Sequence, residues 1–164
     1  MLSTAKKLYD TDFNLWVEET ANLLKEGKWE YLDLENLIEE IEAMGRSDKK
    51  ALKSNLEKLL LHLLKWKYQP SKRSHSWQYS ITEQCLRLLE VFEDSPSLKV
   101  YFEEVFDQCY QNACLLAARE TGLDKKTFRL FGLCYAMDGG YKGWNPYIER
   151  HLAIFVNCFC SRAN

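Results

Sequence analysis

Asp48, Asn55, His62 and Gln69 recur at intervals of seven residues. In a helix advancing about 100° per residue they share one side and drift slowly around it. The line runs along the edge of an apolar stripe. A buried polar group without a partner costs about 1–3 kcal/mol, so four of them need partners from another helix, from water or from a ligand. Two chemistries are open. As a polar core ladder they would fix helix register, as isolated polar positions do in coiled coils. As a ligand site, His62 is a natural metal ligand, but Asp48 lies fourteen residues away, about 21 Å along a straight helix. The two cannot share one ion. A metal at His62 would need a carboxylate from a different helix, such as Glu18 or Glu19, and the sequence assigns neither a metal site nor a cofactor.

The second constellation runs Lys65-Trp66-Lys67-Tyr68-Gln69-Pro70-Ser71-Lys72-Arg73-Ser74-His75-Ser76-Trp77. Cations beside aromatic rings can bind phosphate while stacking bases, which makes Lys65, Lys67, Tyr68, Lys72, Arg73 and Trp77 the candidate binding residues. The same residues also make sense as a structural corner. Cations near a helix C-terminus complement its dipole, and lysine stems cover the apolar faces that hold Trp66 and Trp77. A protein-binding epitope is the third reading. Glu35, Glu39, Glu40 and Glu42 offer carboxylates, which on an exposed helix face are ordinarily solvated. No phosphate-binding glycine loop, HExxH or ExxH pattern, or Ser/His/Asp ordering accompanies them. A catalytic centre has no nucleus here.

The element that positions both constellations is one long amphipathic helix over residues 33–69. Leu34, Leu37, Ile38, Ile41, Met44, Leu52, Leu56, Leu59, Leu60, Leu63 and Trp66 keep one unbroken helical phase. Gly45, Arg46 and Ser47 are a weak point within one rod, not a loop between two helices. The rod would be about 55 Å long, longer than one compact core needs, so other segments are expected to fold back along it. Asp33 is its expected N-cap, and Pro70 stops it near Gln69.

Ahead of it, Thr11 or Asp12 can cap a helix ending near Gly27, with Phe13, Trp16, Val17, Thr20, Leu23 and Leu24 on one stripe. Beyond the connector, Ser76 is read as the cap of a third helix whose face carries Trp77, Ile81, Cys85, Leu88 and Val91. Ser95-Pro96 reads as the N-cap and first residue of a fourth, which holds phase to Gly122. Four stripes with short connections predict an all-α fold, an antiparallel helical bundle over residues 1–127 built around the long helix. From Phe128 the period is lost, and residues 128–164 read as an irregular C-terminal extension packed on the bundle or trailing from it.

Composition is that of an ordinary globular chain: 164 residues, 46% hydrophobic and 28% charged, enough for one domain with a sizeable core. A net charge of -2 rules out a general polyanion coat, so any charge-led binding depends on a local patch. The first residues show no secretory pattern, and the longest apolar run, residues 152–160, is far short of the roughly 20 residues that span a bilayer. A cytoplasmic protein that does not enter the membrane is expected. The six cysteines form no CxxC and no paired zinc spacing, which favours reduced thiols.

Taken in order, Tyr9-Asp10-Thr11-Asp12-Phe13, the run Asp33-Leu34-Glu35-Asn36-Leu37-Ile38-Glu39-Glu40-Ile41-Glu42-Ala43-Met44-Gly45, the run Leu60-Leu61-His62-Leu63-Leu64-Lys65-Trp66-Lys67-Tyr68-Gln69-Pro70, then Ser76-Trp77 and Ser95-Pro96-Ser97-Leu98 resemble one family. It is the cyanobacterial and proteobacterial helical proteins grouped as domain-of-unknown-function family twenty-nine. The resemblance covers residues 9–127 and implies an all-helical fold without an assigned activity. After Glu120-Thr121-Gly122-Leu123 family members continue into a proline- and acid-rich tail with a Cys-Pro-Tyr-like motif, whereas this chain runs Thr127-Phe128-Arg129-Leu130-Phe131-Gly132-Leu133-Cys134. From about Phe128 the expectation is therefore a shifted reading frame or an unrelated 3′ extension.

Together these readings favour a non-catalytic macromolecular interaction module that binds a protein partner or itself, with the basic-aromatic corner as its contact surface. The alternative is a nucleic-acid-binding or metal-dependent nucleic-acid-processing protein of RNase or toxin-like type, working through His62 and acidic neighbours.

Overall fold

A computed structural model of the chain describes residues 4–128. Expectations for the extension, for its shifted-frame origin and for Cys134, Cys158 and Cys160 lie outside the described residues. Five helices, and no strand among the described residues, make up the fold: α1 (Thr4–Thr11), α2 (Phe13–Lys25), α3 (Leu34–Tyr68), α4 (His75–Asp94) and α5 (Leu98–Thr121). They divide into two compact units with the boundary between Ser47 and Asp48, inside α3.

In the first unit, Asp12 ends α1 by donating its N–H to Leu8 O at 2.8 Å and caps α2 by accepting from Leu15 N at 3.1 Å. Such a cap contributes about 1 kcal/mol. The stripe pattern predicts α2 but misses α1, a two-turn helix too short to show a period. Gly27 takes φ 69, with Gly27 N donating to Leu24 O and Lys28 N to Leu23 O. That pair of bonds closes α2 as a Schellman motif, which requires a left-handed residue. Trp16 and Thr20 are the buried residues of α2, and Tyr9 meets the Trp16 ring edge-on at 5.0 Å. Asp33 caps α3 by accepting from Asn36 N at 3.4 Å and Asn36 Nδ2 at 2.7 Å.

α3 runs unbroken through Gly45, where the sequence marks a weak point, and an exposed Glu42–Arg46 pair at 3.3 Å spans that position. The hydrogen-bond ladder survives there. It is the packing that changes, because the boundary between the compact units follows directly after Ser47.

The second unit holds the main core. Leu52, Leu56, Leu59, Leu60, Leu63 and Leu64 of α3 pack with Ile81, Cys85 and Leu88 of α4 and with Phe102, Val105, Phe106, Cys109, Ala113 and Ala117 of α5. Three contacts between α3 and α5 advance together along both helices: Lys53 Nζ to Gln108 Oε1 at 3.0 Å, Asn112 Nδ2 to Glu57 Oε1 at 2.7 Å, and Lys65 Nζ to Glu120 Oε2 at 2.5 Å. These two helices therefore run parallel. α4, joined to each by a short connection, runs antiparallel to both, giving an up-down-up arrangement of three helices in this unit.

Two helix starts differ from expectation. Ser74, not Ser76, caps α4, its Oγ accepting from Trp77 N at 3.3 Å, because a cap oxygen bonds the amide three residues on. α5 begins at Leu98, not at Pro96, because the amides of Leu98, Lys99 and Val100 each bond the carbonyl three residues back in a tighter lead-in turn. Gly122, at φ 74, ends α5 as expected.

Candidate contact surface

The seven-residue line does not sit inside the core. Asp48 is exposed, while Asn55, His62 and Gln69 are half-buried. The reason is helix geometry. Asn55 and His62 each stand one residue's rotation, about 100°, away from fully buried Leu56 and almost fully buried Leu63. The cross-helix bonds are made instead by Lys53, Glu57 and Lys65, residues that sequence reasoning treated as surface charge or as corner. His62 Nδ1 lies 2.9 Å from Lys58 O, and since a carbonyl only accepts, the ring proton sits on Nδ1 and Nε2 is left as an acceptor. Gln69 Nε2 donates to Thr121 O at 3.4 Å, tying the end of α3 to the end of α5.

The basic-aromatic corner is largely knitted into the fold. The Lys65 side chain is only 13% exposed, and its ammonium is paired with Glu120 and lies 4.6 Å from the Trp77 ring centroid. Arg73 Nε donates to Trp66 O at 2.9 Å while its guanidinium lies over the Trp66 ring at 5.0 Å. Lys67 Nζ is 5.3 Å from the Tyr68 ring, and Tyr68 meets buried Phe128 edge-on at 5.2 Å. Lys72 is exposed. The structure thus brings Lys65 and Trp77 together, and Lys67 and Tyr68, while Arg73 folds back on Trp66.

An open apolar surface lies elsewhere. Leu34, Ile38, Ile41 and Met44 on α3 are 54%, 56%, 60% and 68% exposed, and Phe13, Val17 and Leu24 of α2 are exposed in the same unit. The sequence reading counted all of these as stripe residues awaiting an intramolecular partner. The signal that distinguishes them is length, since α3 has 35 residues and α5 only 24. On another side of α3, Tyr9 OH donates to Glu40 Oε1 at 2.6 Å. That bond, with burial and the Glu40 charge, pushes the Tyr9 hydroxyl up to about 12.

The described thiols are not poised for nucleophilic work. Cys85, Cys109 and Cys114 are free and buried. Burial pushes Cys85 up to about 12 and Cys109 up to about 11 and raises Cys114, so all three are protonated near neutrality. Among the described residues no group of three or more His, Cys, Asp or Glu side chains is placed to hold a metal ion. No described helix is long and apolar enough to cross a membrane.

A helical scaffold with buried protonated thiols, a self-satisfied cationic corner and an open apolar helix face belongs to the class of all-helical proteins without an assigned chemistry. Within that class, the chain belongs to the family described as Domain of unknown function DUF29, which matches residues 8–133. No curated protein and no solved structure matches it.

Proposed function

We propose that this chain is a non-catalytic helical module that binds a protein partner through the open apolar side of α3 in its first unit. One observation carries the reading: Leu34, Ile38, Ile41 and Met44 follow one another along the same side of a regular helix, and each is more than half exposed. Single exposed apolar residues are ordinary, but a contiguous row of large ones is the usual mark of an interaction surface. The cationic corner supports a nucleic-acid role less well, because Lys65 and Arg73 already have carboxylate, carbonyl and aromatic neighbours within the chain. The three free buried thiols fit a reducing compartment, and we place the protein in the cytoplasm.

The test is affinity capture from cell extract with the wild-type chain and with Ile38→Glu/Ile41→Glu, alongside thermal unfolding of both. The double variant is expected to lose a captured protein while keeping its melting temperature, because both side chains already face solvent. Capture that is unchanged in the variant removes the assignment of this surface.

A further inference from the structure

We infer that the open side of α3 is covered by the same side of α3 from a second copy of this chain, the two helices running antiparallel. This rests on the reading of that row as a contact surface and names its occupant. The order of charges along the helix selects it. Glu35, Glu39, Glu40 and Glu42 come first, and Arg46, Lys49 and Lys50 follow, interrupted by Asp48. A parallel pair would set acidic halves side by side. An antiparallel pair sets the acidic half of each copy against the basic half of the other, and a two-fold axis repeats every contact in both directions. Charges flanking an apolar seam choose orientation and partner in helix pairs. Glu39, Arg46 and Lys50 are exposed. The Glu42–Arg46 pair is exposed on both sides, a weak contact that pairing between copies can replace.

The packing residues have the matching pattern. Leu34, Ile38, Ile41 and Gly45 are spaced by four, three and four residues, the alternation of a helix-pair seam. A Cβ built at Gly45 meets nothing within 4 Å, so the seam is open there to close approach by a neighbouring helix. Asp48 is the next residue on the Leu34–Ile41 line, and it is exposed. On this reading the first rung of the polar line marks where pairing between copies ends.

Sedimentation velocity of the full chain over a range of concentrations tests the inference, with circular dichroism to confirm that each variant is folded. The wild type is expected to sediment as a concentration-dependent dimer. Ile38→Glu/Ile41→Glu is expected to weaken it by about a hundredfold, about tenfold for each carboxylate forced into the seam. The basic variant Glu39→Lys/Glu42→Lys and the acidic variant Arg46→Glu/Lys50→Glu are each expected to be monomeric alone and to form a dimer when mixed in equal amounts. A folded wild type that stays monomeric overturns the inference, as does a dimer indifferent to the Ile38 and Ile41 changes or charge variants whose mixture stays monomeric. If the wild type is monomeric but still captures a protein that Ile38→Glu/Ile41→Glu loses, self-pairing falls and the contact surface stands. If capture is also indifferent to those changes, both fall.

Discussion

Leu56 and Ile41 occupy equivalent places in one apolar phase of one helix, yet replacing them with alanine should have very different consequences. Leu56 is 0% exposed among leucines, Cys85, Phe106 and Cys109 in the main core. Leu56→Ala removes three carbons from a closed site, and large-to-small changes of this kind cost about 2–5 kcal/mol. For a chain of this size that corresponds to a fall in melting temperature of roughly 8–20 °C. Ile41 is 60% exposed, so truncation forfeits only about 1 kcal/mol of apolar burial. The higher helix propensity of alanine returns about 0.4 kcal/mol of that. The net change should be about 0.5 kcal/mol or less. Thermal unfolding followed by circular dichroism, at the lowest workable concentration and again at a concentration a hundred times higher, separates the cases. At high dilution Leu56→Ala should melt far below wild type and Ile41→Ala beside it. At high concentration Ile41→Ala should fall behind, because the wild type gains stability from pairing that the variant lacks. An Ile41→Ala loss equal to that of Leu56→Ala and independent of concentration would refute the reasoning, since Ile41 would then be packed inside its own chain.

Two further outcomes follow from the second unit. Lys65→Met should cost about 1–2 kcal/mol in denaturant unfolding, from a mostly buried ion pair and a cation–aromatic contact, whereas Lys72→Glu should stay within about 0.5 kcal/mol of wild type. A Lys65→Met chain of unchanged stability that had lost retardation of labelled RNA would instead make the corner a nucleic-acid surface. The buried thiols give a pH dependence whose sign is fixed. Their folded values are raised, Cys85 to about 12 and Cys109 to about 11, so the unfolded chain releases these protons first as pH climbs past the ordinary thiol value of 9.0. The thiol contribution to stability should be flat below that value and decline from there towards pH 11–12. Cys85→Val should soften that decline, and the native thiols should resist alkylation at pH 8; a steep rate of native alkylation would contradict their burial.

Why some of this was legible in the sequence and some was not comes down to what a helical period encodes. The phase of Leu34 through Trp66 specifies one helix, and Asp33, Gly27 and Gly122 mark ends, because caps and left-handed residues act through bonds three to five residues long. Where two residues of the same type sit within that reach, as Ser74 and Ser76 do, the local rule cannot choose and the amide geometry decides. Partner identity is not local at all. Leu34, Ile38 and Ile41 share helical phase with Leu52, Leu56 and Leu59, yet the first three are exposed and the last three buried. Period reports which side of a helix is apolar and carries no information about which chain covers it. Length does carry some, because a stripe held in phase over 35 residues outruns what helices of 20 and 24 residues can cover at about 1.5 Å per residue. An apolar stripe of that excess length, bordered by an acidic run and then a basic one, is the pattern of a helix built to meet its own copy in reverse. On those terms the stripe ends at Asp48 because the partner copy's cover ends there and the chain's own begins.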